Sequence, residues 1–130
     1  MTKPHIWPIR VYFEDTDAGQ IVYYANYLKF TERARTEMLR ATGADHSAMI
    51  KDDGLMFVVK NVKIEYHQSA KLDDALEVHT GITKIGNASL ILQQNVIRDG
   101  VQLATSEVVL VAVNDQGQPC RIPASIRTKI

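Results

Sequence analysis

Two carboxylates in a short polar segment, Asp15 and Asp17, are the residues of this sequence best placed to do chemistry. The composition of residues 15–20 predicts a loop, and a helical pattern begins a few residues later. At the start of a helix, backbone N–H groups lack acceptors and the helix dipole favours negative charge. Such a site could hold an ionised carboxylate and offer N–H donors to a developing oxyanion. On spacing alone, the commoner role is a cap of the helix or of a turn.

The loop must be positioned by the elements on either side of it. Residues 5–14 predict a strand, and Pro8 within it favours an edge position or a strand start. From Tyr24 to Thr42 the sequence predicts one long helix, and Gly43 is placed to end it. Its buried face consists of apolar or small residues: Tyr27, Phe30, Thr31, Ala34, Met38 and Ala41. On the exposed side, Arg33 and Glu37 have the spacing of an i,i+4 ion pair.

The sequence after Gly54 predicts antiparallel strands. Apolar and polar residues alternate through residues 62–66 and 76–82, and residues 90–97 and 103–113 are rich in β-formers. The segment 98–100, with its Asp-Gly pair, predicts a hairpin turn. We therefore expect a single α+β domain over residues 1–130, with one sheet and one helix on one face. One helix covers only part of such a sheet and residues 108–113 are all apolar, so we expect at least a homodimer.

Composition excludes several classes of function. Fifteen basic residues balance fifteen acidic ones, so no whole-protein field attracts nucleic acid or an anionic membrane. No apolar stretch approaches the roughly 20 residues needed to insert across a bilayer. The first eight residues lack the apolar region of a signal peptide, and the single Cys120 cannot form an internal disulfide, so we expect a cytoplasmic protein. The four histidines lack metal-ligand spacing, so we expect no metal.

Residues 12–27 carry a specific motif, YFEDTDAGQIVYYANY, which closely resembles the signature of the 4-hydroxybenzoyl-CoA thioesterase family. Residues 30–37, 57–59 and 72–74 are most similar to the branch of that family associated with the Tol–Pal system. The resemblance implies a hot-dog fold, in which a sheet wraps one central helix. It also implies that two units form a continuous sheet, that dimers pair into tetramers, and that the activity is acyl-CoA thioester hydrolysis. Coenzyme A is then part of the substrate, and no cofactor is needed.

The resemblance also assigns roles to individual residues. Asp17 matches the catalytic carboxylate, and Tyr24 matches the residue whose backbone N–H polarises the thioester carbonyl. Phe57, Val58 and Val59 match the strand that lines the path of the acyl group and pantetheine arm. Two roles are open for Asp17, because it could act as general base on water or attack directly to form an anhydride.

Glu32 has two interpretations. It falls where the hydroxybenzoyl enzyme has an acid that contacts the ring hydroxyl of its substrate, although the Tol–Pal branch also has Glu there. An ion pair with Arg35 or Arg33 is an equally good explanation.

The sequence departs from the family at two places. The Tol–Pal branch usually has His where this chain has Tyr24, which is tolerable if only the backbone N–H acts. Gly86 and Ala88 stand where the hydroxybenzoyl enzyme has cations for the coenzyme A phosphates. The candidates left to hold those phosphates are cations at other positions, namely Lys84, Arg98, Lys60 and Arg121.

Two functions of another class are alternatives to an enzyme. One is a non-catalytic module that binds acyl-CoA or an acyl carrier protein, and Asp17 argues against it, because binding alone needs no carboxylate beside a thioester. The other is a partner protein of the cell-envelope machinery, which could coexist with activity. Rates on a panel of short, long and aromatic acyl-CoAs would discriminate between catalysis and binding.

Overall fold

The computed structural model of the protein describes residues 3–130 as one sheet, one long helix and several short turns. The strands are β1 (His5–Arg10), β2 (Leu55–Tyr66), β3 (Ala75–Ile85), β4 (Ser89–Arg98) and β5 (Val101–Asn114). The helices are α1 (Asn26–Thr42), α2 (His46–Ala48) and α3 (Ala124–Arg127), with single helical turns at Phe13–Asp15 and Met49–Asp53. The predicted α+β class is confirmed. Residues 1 and 2 of the predicted domain lie outside the described residues.

The five strands form one antiparallel sheet in the order β1-β3-β4-β5-β2. β1 lies at one edge, where Pro8 is opposite Glu77, so the edge position predicted from Pro8 is confirmed. β4 and β5 are joined by the predicted two-residue turn, in which Asp99 and Gly100 are both left-handed, with φ of 50° and 79°. Left-handed geometry at both positions gives this turn the twist that a hairpin needs.

The inner face of the sheet packs against α1. Tyr27, Phe30, Ala34 and Met38 are buried as predicted, in contact with apolar side chains of the strands. Ala41, however, is exposed. In the last turns of α1 the buried residue is instead Leu39, which packs in the same cluster as Met49, Ile122 and Ile126. Segments outside the sheet therefore cover the end of the helix.

The boundaries around the loop differ from the predicted ones. β1 ends at Arg10 rather than at Glu14, because Asp15 N–H donates to the Tyr12 carbonyl and closes a helical turn. α1 begins at Asn26 rather than at Tyr24, and it ends at Gly43, which has φ of 85° as expected for a left-handed helix end.

The predicted pairing of Arg33 with Glu37 on the exposed side of α1 is wrong. Glu37 Oε1 instead accepts a hydrogen bond from Arg40 Nε at 3.0 Å. No helix within residues 3–130 is both long and apolar enough to span a membrane.

The candidate site involves two opposite ends of the sheet. We call one the carboxylate end, and it contains Arg10, Tyr66 and Ala75. The loop of Asp17 packs at this end through the bridge between Ile21 and Lys71. The distal end is the opposite end of the strands. It includes residues 55–60 of β2, Lys84, and the turn between β3 and β4.

Candidate active site

Asp17 lies in a tight turn that its own backbone closes. Its N–H donates to the Ile21 carbonyl at 2.9 Å, and its carbonyl accepts from Gln20 N–H at 2.9 Å. The side-chain Oδ1 accepts from Gly19 N–H at 2.8 Å. A Cβ at Gly19 would approach that oxygen to 3.2 Å, so glycine permits the close contact. The carboxylate is exposed and anchored through one oxygen.

Asp15 is the opposite case, although it is only two residues away. It is 5% exposed, and its Oδ2 accepts the Tyr12 N–H at 2.8 Å. Its carbonyl accepts from Tyr23 N–H at 3.0 Å and from Asn26 Nδ2 at 2.8 Å. Asp15 therefore ties the loop to the start of α1. The expectation that helix-terminal amides hold Asp17 is wrong, since Gly19 of its own turn does so.

Tyr24 lies in the turn just before α1. Its N–H donates no hydrogen bond within residues 3–130, whereas the neighbouring Asn26 N–H donates to the Tyr23 carbonyl at 2.8 Å. The Tyr24 carbonyl accepts from Tyr66 Oη at 2.9 Å. The side chain is 62% exposed. An N–H that no protein group accepts, in a backbone held on both sides, is suited to bind a substrate oxygen.

Tyr24 is one of four tyrosines that cluster at the start of α1, with Tyr23, Tyr27 and Tyr66. The Tyr24 ring centroid lies 4.9 Å from that of Tyr23 and 6.3 Å from that of Tyr66, and Tyr66 lies 5.2 Å from Tyr27. Interaction with the Tyr24 phenol raises the pKa of Tyr23, and the negative charge of Asp17 adds a smaller effect in the same direction. Asp17 is thus close enough to Tyr23 to influence the ionisation of that phenol.

The strand residues predicted to line the substrate path lie at the distal end. Phe57 is buried in the core of its own chain, whereas Val58 and Val59 are 39% and 45% exposed. Val59 and Tyr66 are seven positions apart in β2, which corresponds to about 20 Å along an extended strand. The structure therefore does not bring these residues to Asp17 within one chain.

Glu32 forms an ion pair with Arg35, so the second interpretation of this residue is confirmed as a contact. Arg35 is 5% exposed and also donates to Gln94 Oε1 at 2.9 Å. Gln94 Nε2 in turn donates to Thr80 Oγ1 at 2.9 Å. Burial lowers the pKa of Arg35, and Glu32 opposes that shift. Glu32 is thus anchored to a polar network inside the sheet while its own side chain is about half exposed.

Three of the four candidate cations lie at the distal end, whereas Arg98 lies at the carboxylate end, where its Nη1 donates to Asp74 Oδ2 at 2.6 Å. Lys84 borders an apolar hollow of 640 Å³ between α1 and β3. Lys60 is the extra residue of a bulge in β2, and Arg121 lies between two residues that hydrogen-bond to Ala112 and Asn87. Sheet pairing places Lys84 and the bulge of Lys60 at the same level, three strands and about 14 Å apart.

Glycine at position 86 fits a close contact in the turn between β3 and β4. A Cβ there would meet Ser89 Oγ at 2.7 Å, so a larger residue would require the Ser89 hydroxyl to rotate away. Arg127, which the sequence did not suggest, approaches the same turn from α3. Its Nη2 donates to the carbonyls of Gly86 and Asn87 at 2.8 Å and 3.2 Å.

The groups that the sequence missed are long-range partners. Tyr66 was assigned only to an alternating strand, and Asn26 only to the helix pattern. Both form hydrogen bonds to the segment between Asp15 and Tyr24, Tyr66 across 42 residues. A polar aromatic residue at the end of a strand is a weak signal, because its partner depends on how the chain folds back. Within residues 3–130, no group of three or more His, Cys, Asp or Glu side chains could hold a metal ion.

Comparison with known proteins identifies the class. Residues 11–130 match the thioesterase-like superfamily. The acyl-CoA thioester hydrolase YbgC of Escherichia coli O157:H7 is 43% identical over 122 residues, which cover 92% of this chain and 90% of that protein. The acyl-CoA thioesterase YbgC of Haemophilus influenzae is 38% identical over 122 residues, covering 93% and 90%.

Solved structures that resemble this chain also include thioesterases. A probable thioesterase from Bartonella henselae superposes with a TM-score of 0.89 and 34% identity, over 92% of this chain and 99% of that one. A gentisyl-coenzyme A thioesterase superposes with a TM-score of 0.87 and 30% identity, over 94% and 98%. The sheet and helix are thus those of a hot-dog thioesterase, as the sequence resemblance implied. The chain belongs to the thioesterase-like superfamily and is a thioester hydrolase.

Proposed function

We propose that this protein hydrolyses a small acyl-CoA thioester to the free acid and coenzyme A, with Asp17 at the reacting carbon. The observation that carries the proposal is the junction of loop and helix. An exposed carboxylate, anchored through one oxygen to Gly19, lies in the same segment as the unpaired N–H of Tyr24. Hydrolysis of a thioester needs a base or nucleophile and a donor to the oxyanion, and this junction offers both.

Two routes use the same atoms. As a general base, Asp17 removes a proton from water, and the hydroxide adds to the thioester carbon while Tyr24 N–H stabilises the oxyanion. The intermediate then collapses and expels the coenzyme A thiolate, which takes up a proton. As a nucleophile, Asp17 adds to the same carbon and expels the thiolate, and water opens the resulting anhydride. Both routes need only this chain, its substrate and water.

The proposal requires a second copy of the chain. β2 is a 12-residue edge strand with Met56, Val58 and Val59 exposed, which in a monomer would invite unwanted pairing. Antiparallel pairing of two β2 strands about a two-fold axis places the distal end of one copy beside the Tyr66 end of the other. Val58 and Val59 of one copy then line the path to Asp17 of the other. The minimal active unit is a homodimer, and dimers can pair further into a tetramer.

The cations of the distal end come to the substrate in the same way. Lys60, Lys84 and Arg121 of one copy are proposed to attract the phosphates of the coenzyme A bound to the other copy, with Arg127 beside the turn of Gly86. Glu32, which Arg35 orients, is the proposed polar contact of the acyl group. The pantetheine arm is common to coenzyme A and acyl carrier protein, so both carriers fit this path.

We also infer a cytoplasmic location. Cys120 is present as a free thiol in the structure, and the proposed reaction releases coenzyme A as a free thiol, which suits a reducing compartment.

The test is a comparison of two isosteric variants. Rates are first measured on a panel of short, long and aromatic acyl-CoAs, and the best substrate is kept. For Asp17→Asn we expect kcat to fall by about 10²–10⁴-fold, because both basicity and nucleophilicity are lost. Melting temperature and oligomeric state should change little, since Asn can still accept from Gly19 N–H.

Asp15→Asn is the matched control. It removes a buried charge that holds Tyr12, so the effect should be on melting temperature while kcat stays within a few-fold of wild type. If Asp17→Asn keeps full activity and Asp15→Asn abolishes it in a folded protein, the wrong carboxylate has been chosen.

A further inference from the structure

One hydrogen bond joins the edge strand to the start of the long helix. Tyr66, the last residue of β2, donates from Oη to the carbonyl of Tyr24 at 2.9 Å. The two residues are 42 positions apart in the chain. No other side chain within residues 3–130 donates to that carbonyl.

This contact completes a set of restraints on Tyr24. The peptide before its Cα is held because the Tyr23 carbonyl accepts from Asn26 N–H at 2.8 Å. The peptide after its Cα is held because the Tyr24 carbonyl accepts from Tyr66. The N–H of Tyr24 belongs to the first peptide, and φ and ψ of Tyr24 link that peptide to the second. Holding both peptides therefore limits how far the N–H can rotate. The residue itself lies before the helix, where no i→i−4 hydrogen bond restrains it.

We propose that Tyr66 is a positioning residue, whose hydroxyl orients the backbone of Tyr24 so that its N–H points at the thioester carbonyl oxygen. The inference rests on the proposed function, in which that N–H stabilises the oxyanion. Tyr66 itself touches neither the reacting carbon nor the water.

The ring of Tyr66 is held firmly enough for this role. It packs edge-on against Tyr27, with centroids 5.2 Å apart and planes at 73°, and edge-on against Tyr24 at 6.3 Å and 86°. Tyr27 is itself buried, and its hydroxyl accepts the Ala70 N–H at 3.0 Å. Burial raises the pKa of Tyr66, so its hydroxyl is protonated and able to donate at neutral pH.

The first measurement is steady-state kinetics of Tyr66→Phe in the full-length protein. Phenylalanine keeps the ring contacts and removes only the hydroxyl. Loss of a whole oxyanion donor costs about 10²–10³-fold in kcat, so misalignment of one donor should cost about tenfold. KM should stay within about twofold, because the ground-state carbonyl needs the N–H less than the oxyanion does.

The second measurement reports on the carbonyl directly. The best acyl-CoA of the panel, labelled with carbon-13 at its thioester carbonyl, is bound to Asp17→Asn, which turns over slowly. A hydrogen bond from Tyr24 N–H lowers the C=O stretching frequency of the bound thioester. Adding Tyr66→Phe to Asp17→Asn should return that frequency toward its value in free solution.

Tyr27→Phe is the control for a merely structural effect. It removes a phenol from the same cluster and leaves Ala70 N–H without its acceptor, so it should lower the melting temperature. It should leave both kcat and the C=O frequency unchanged.

Two results would overturn the inference. One is a Tyr66→Phe variant with wild-type kcat, or with a loss that Tyr27→Phe matches. The other is a C=O frequency that does not move. In either case a large loss of kcat in Asp17→Asn would leave the proposed function standing. A wild-type protein that hydrolyses no acyl-CoA would remove the proposed function and this inference together.

Discussion

The two ends of the sheet are built for different tasks. At the carboxylate end, backbone and side chains are cross-linked: Asp15 holds Tyr12, Tyr23 and Asn26, and Tyr66 holds Tyr24. At the distal end, the edge of β2 instead presents exposed apolar side chains and nearby cations. The carboxylate end holds polar atoms in fixed positions, and the distal end exposes apolar side chains and cations that a ligand or a second chain could contact.

We infer from this difference that neither end is a complete active site. Val58 and Val59, which are proposed to line the acyl path, lie at the distal end, away from Asp17 and the Tyr24 N–H of the same chain. About 20 Å of strand separates the two sets. In the proposed homodimer, a second copy paired through β2 supplies each end with the residues of the other.

The largest expected effect follows from a charge on the free edge. Val59→Lys places an ammonium group where two β2 strands would pair, which opposes edge-to-edge association. We expect a monomer, and a loss of at least about 100-fold in kcat/KM if the site needs both copies, equivalent to about 2.7 kcal/mol. Light scattering and steady-state kinetics measure the two consequences.

Val101 provides the matched control for that variant. It is 44% exposed, against 45% for Val59, but it begins β5 at the other end of the sheet. Val101→Lys should keep both assembly and activity. A monomeric Val59→Lys with wild-type activity would show that one chain holds a complete site.

A smaller effect tests how the carboxylate end is held together. Asp74 Oδ2 accepts from Arg98 Nη1 at 2.6 Å and from Lys71 N–H at 2.8 Å, next to the bridge between Lys71 and Ile21. Burial opposes ionisation of Asp74, but these hydrogen bonds and the charge of Arg98 lower its pKa below the ordinary value. Asp74→Asn should therefore destabilise the fold by about 1 kcal/mol at pH 7.

The lowered pKa of Asp74 also predicts how the stability difference between wild type and Asp74→Asn depends on pH. A lowered folded-state pKa contributes stability that is complete above the unfolded value of about 3.9 and is lost as pH falls through the folded value. The free energies of unfolding of wild type and Asp74→Asn should thus differ constantly above about pH 5 and converge in stronger acid. Urea titrations at several pH values measure this, and a gap that widens in acid would contradict it.

The smallest effect concerns the phosphates. Gly86 and Ala88 carry no cations, and the scattered Lys60, Lys84 and Arg121 form no tight clamp. Removing the 3′-phosphate of the acyl-CoA, or shortening it to an acyl-pantetheine, should change kcat/KM by only about a few-fold, or at most tenfold. A loss above about 100-fold would show a phosphate clamp at the distal end.

Local patterns predicted most of the fold. The helix period, the end at Gly43 and the Asp99-Gly100 turn each depend on neighbours in sequence, and each was confirmed. The errors lie where an i,i+3 contact forms in place of the pattern that the sequence favoured. β1 ends early because Asp15 closes a turn on Tyr12, and Glu37 pairs with Arg40 rather than with Arg33.

The site was less predictable than the fold. The motif around Asp17 identified the loop, but it did not separate the buried Asp15 from the exposed Asp17 by physical reasoning. That distinction depends on Asn26 and Tyr23, which contact the Asp15 carbonyl only after the chain has folded. Tyr66 and Arg127 were missed for the same reason, since each acts on a backbone group far away in sequence.

The central claim, a site shared between two copies, is tested most directly by mixing two inactive variants. Asp17→Asn lacks the carboxylate, and Val59→Glu lacks the apolar wall and pairs poorly with itself. After denaturation and joint refolding, a heterodimer carries one site with an intact Asp17 from one copy and an intact Val59 from the other. When heterodimers make up half of all dimers, the mixture should show about one quarter of wild-type activity, because each heterodimer has one intact site of two. Activity no greater than the sum of the separate variants, in a mixture shown to contain heterodimers, would contradict the shared site.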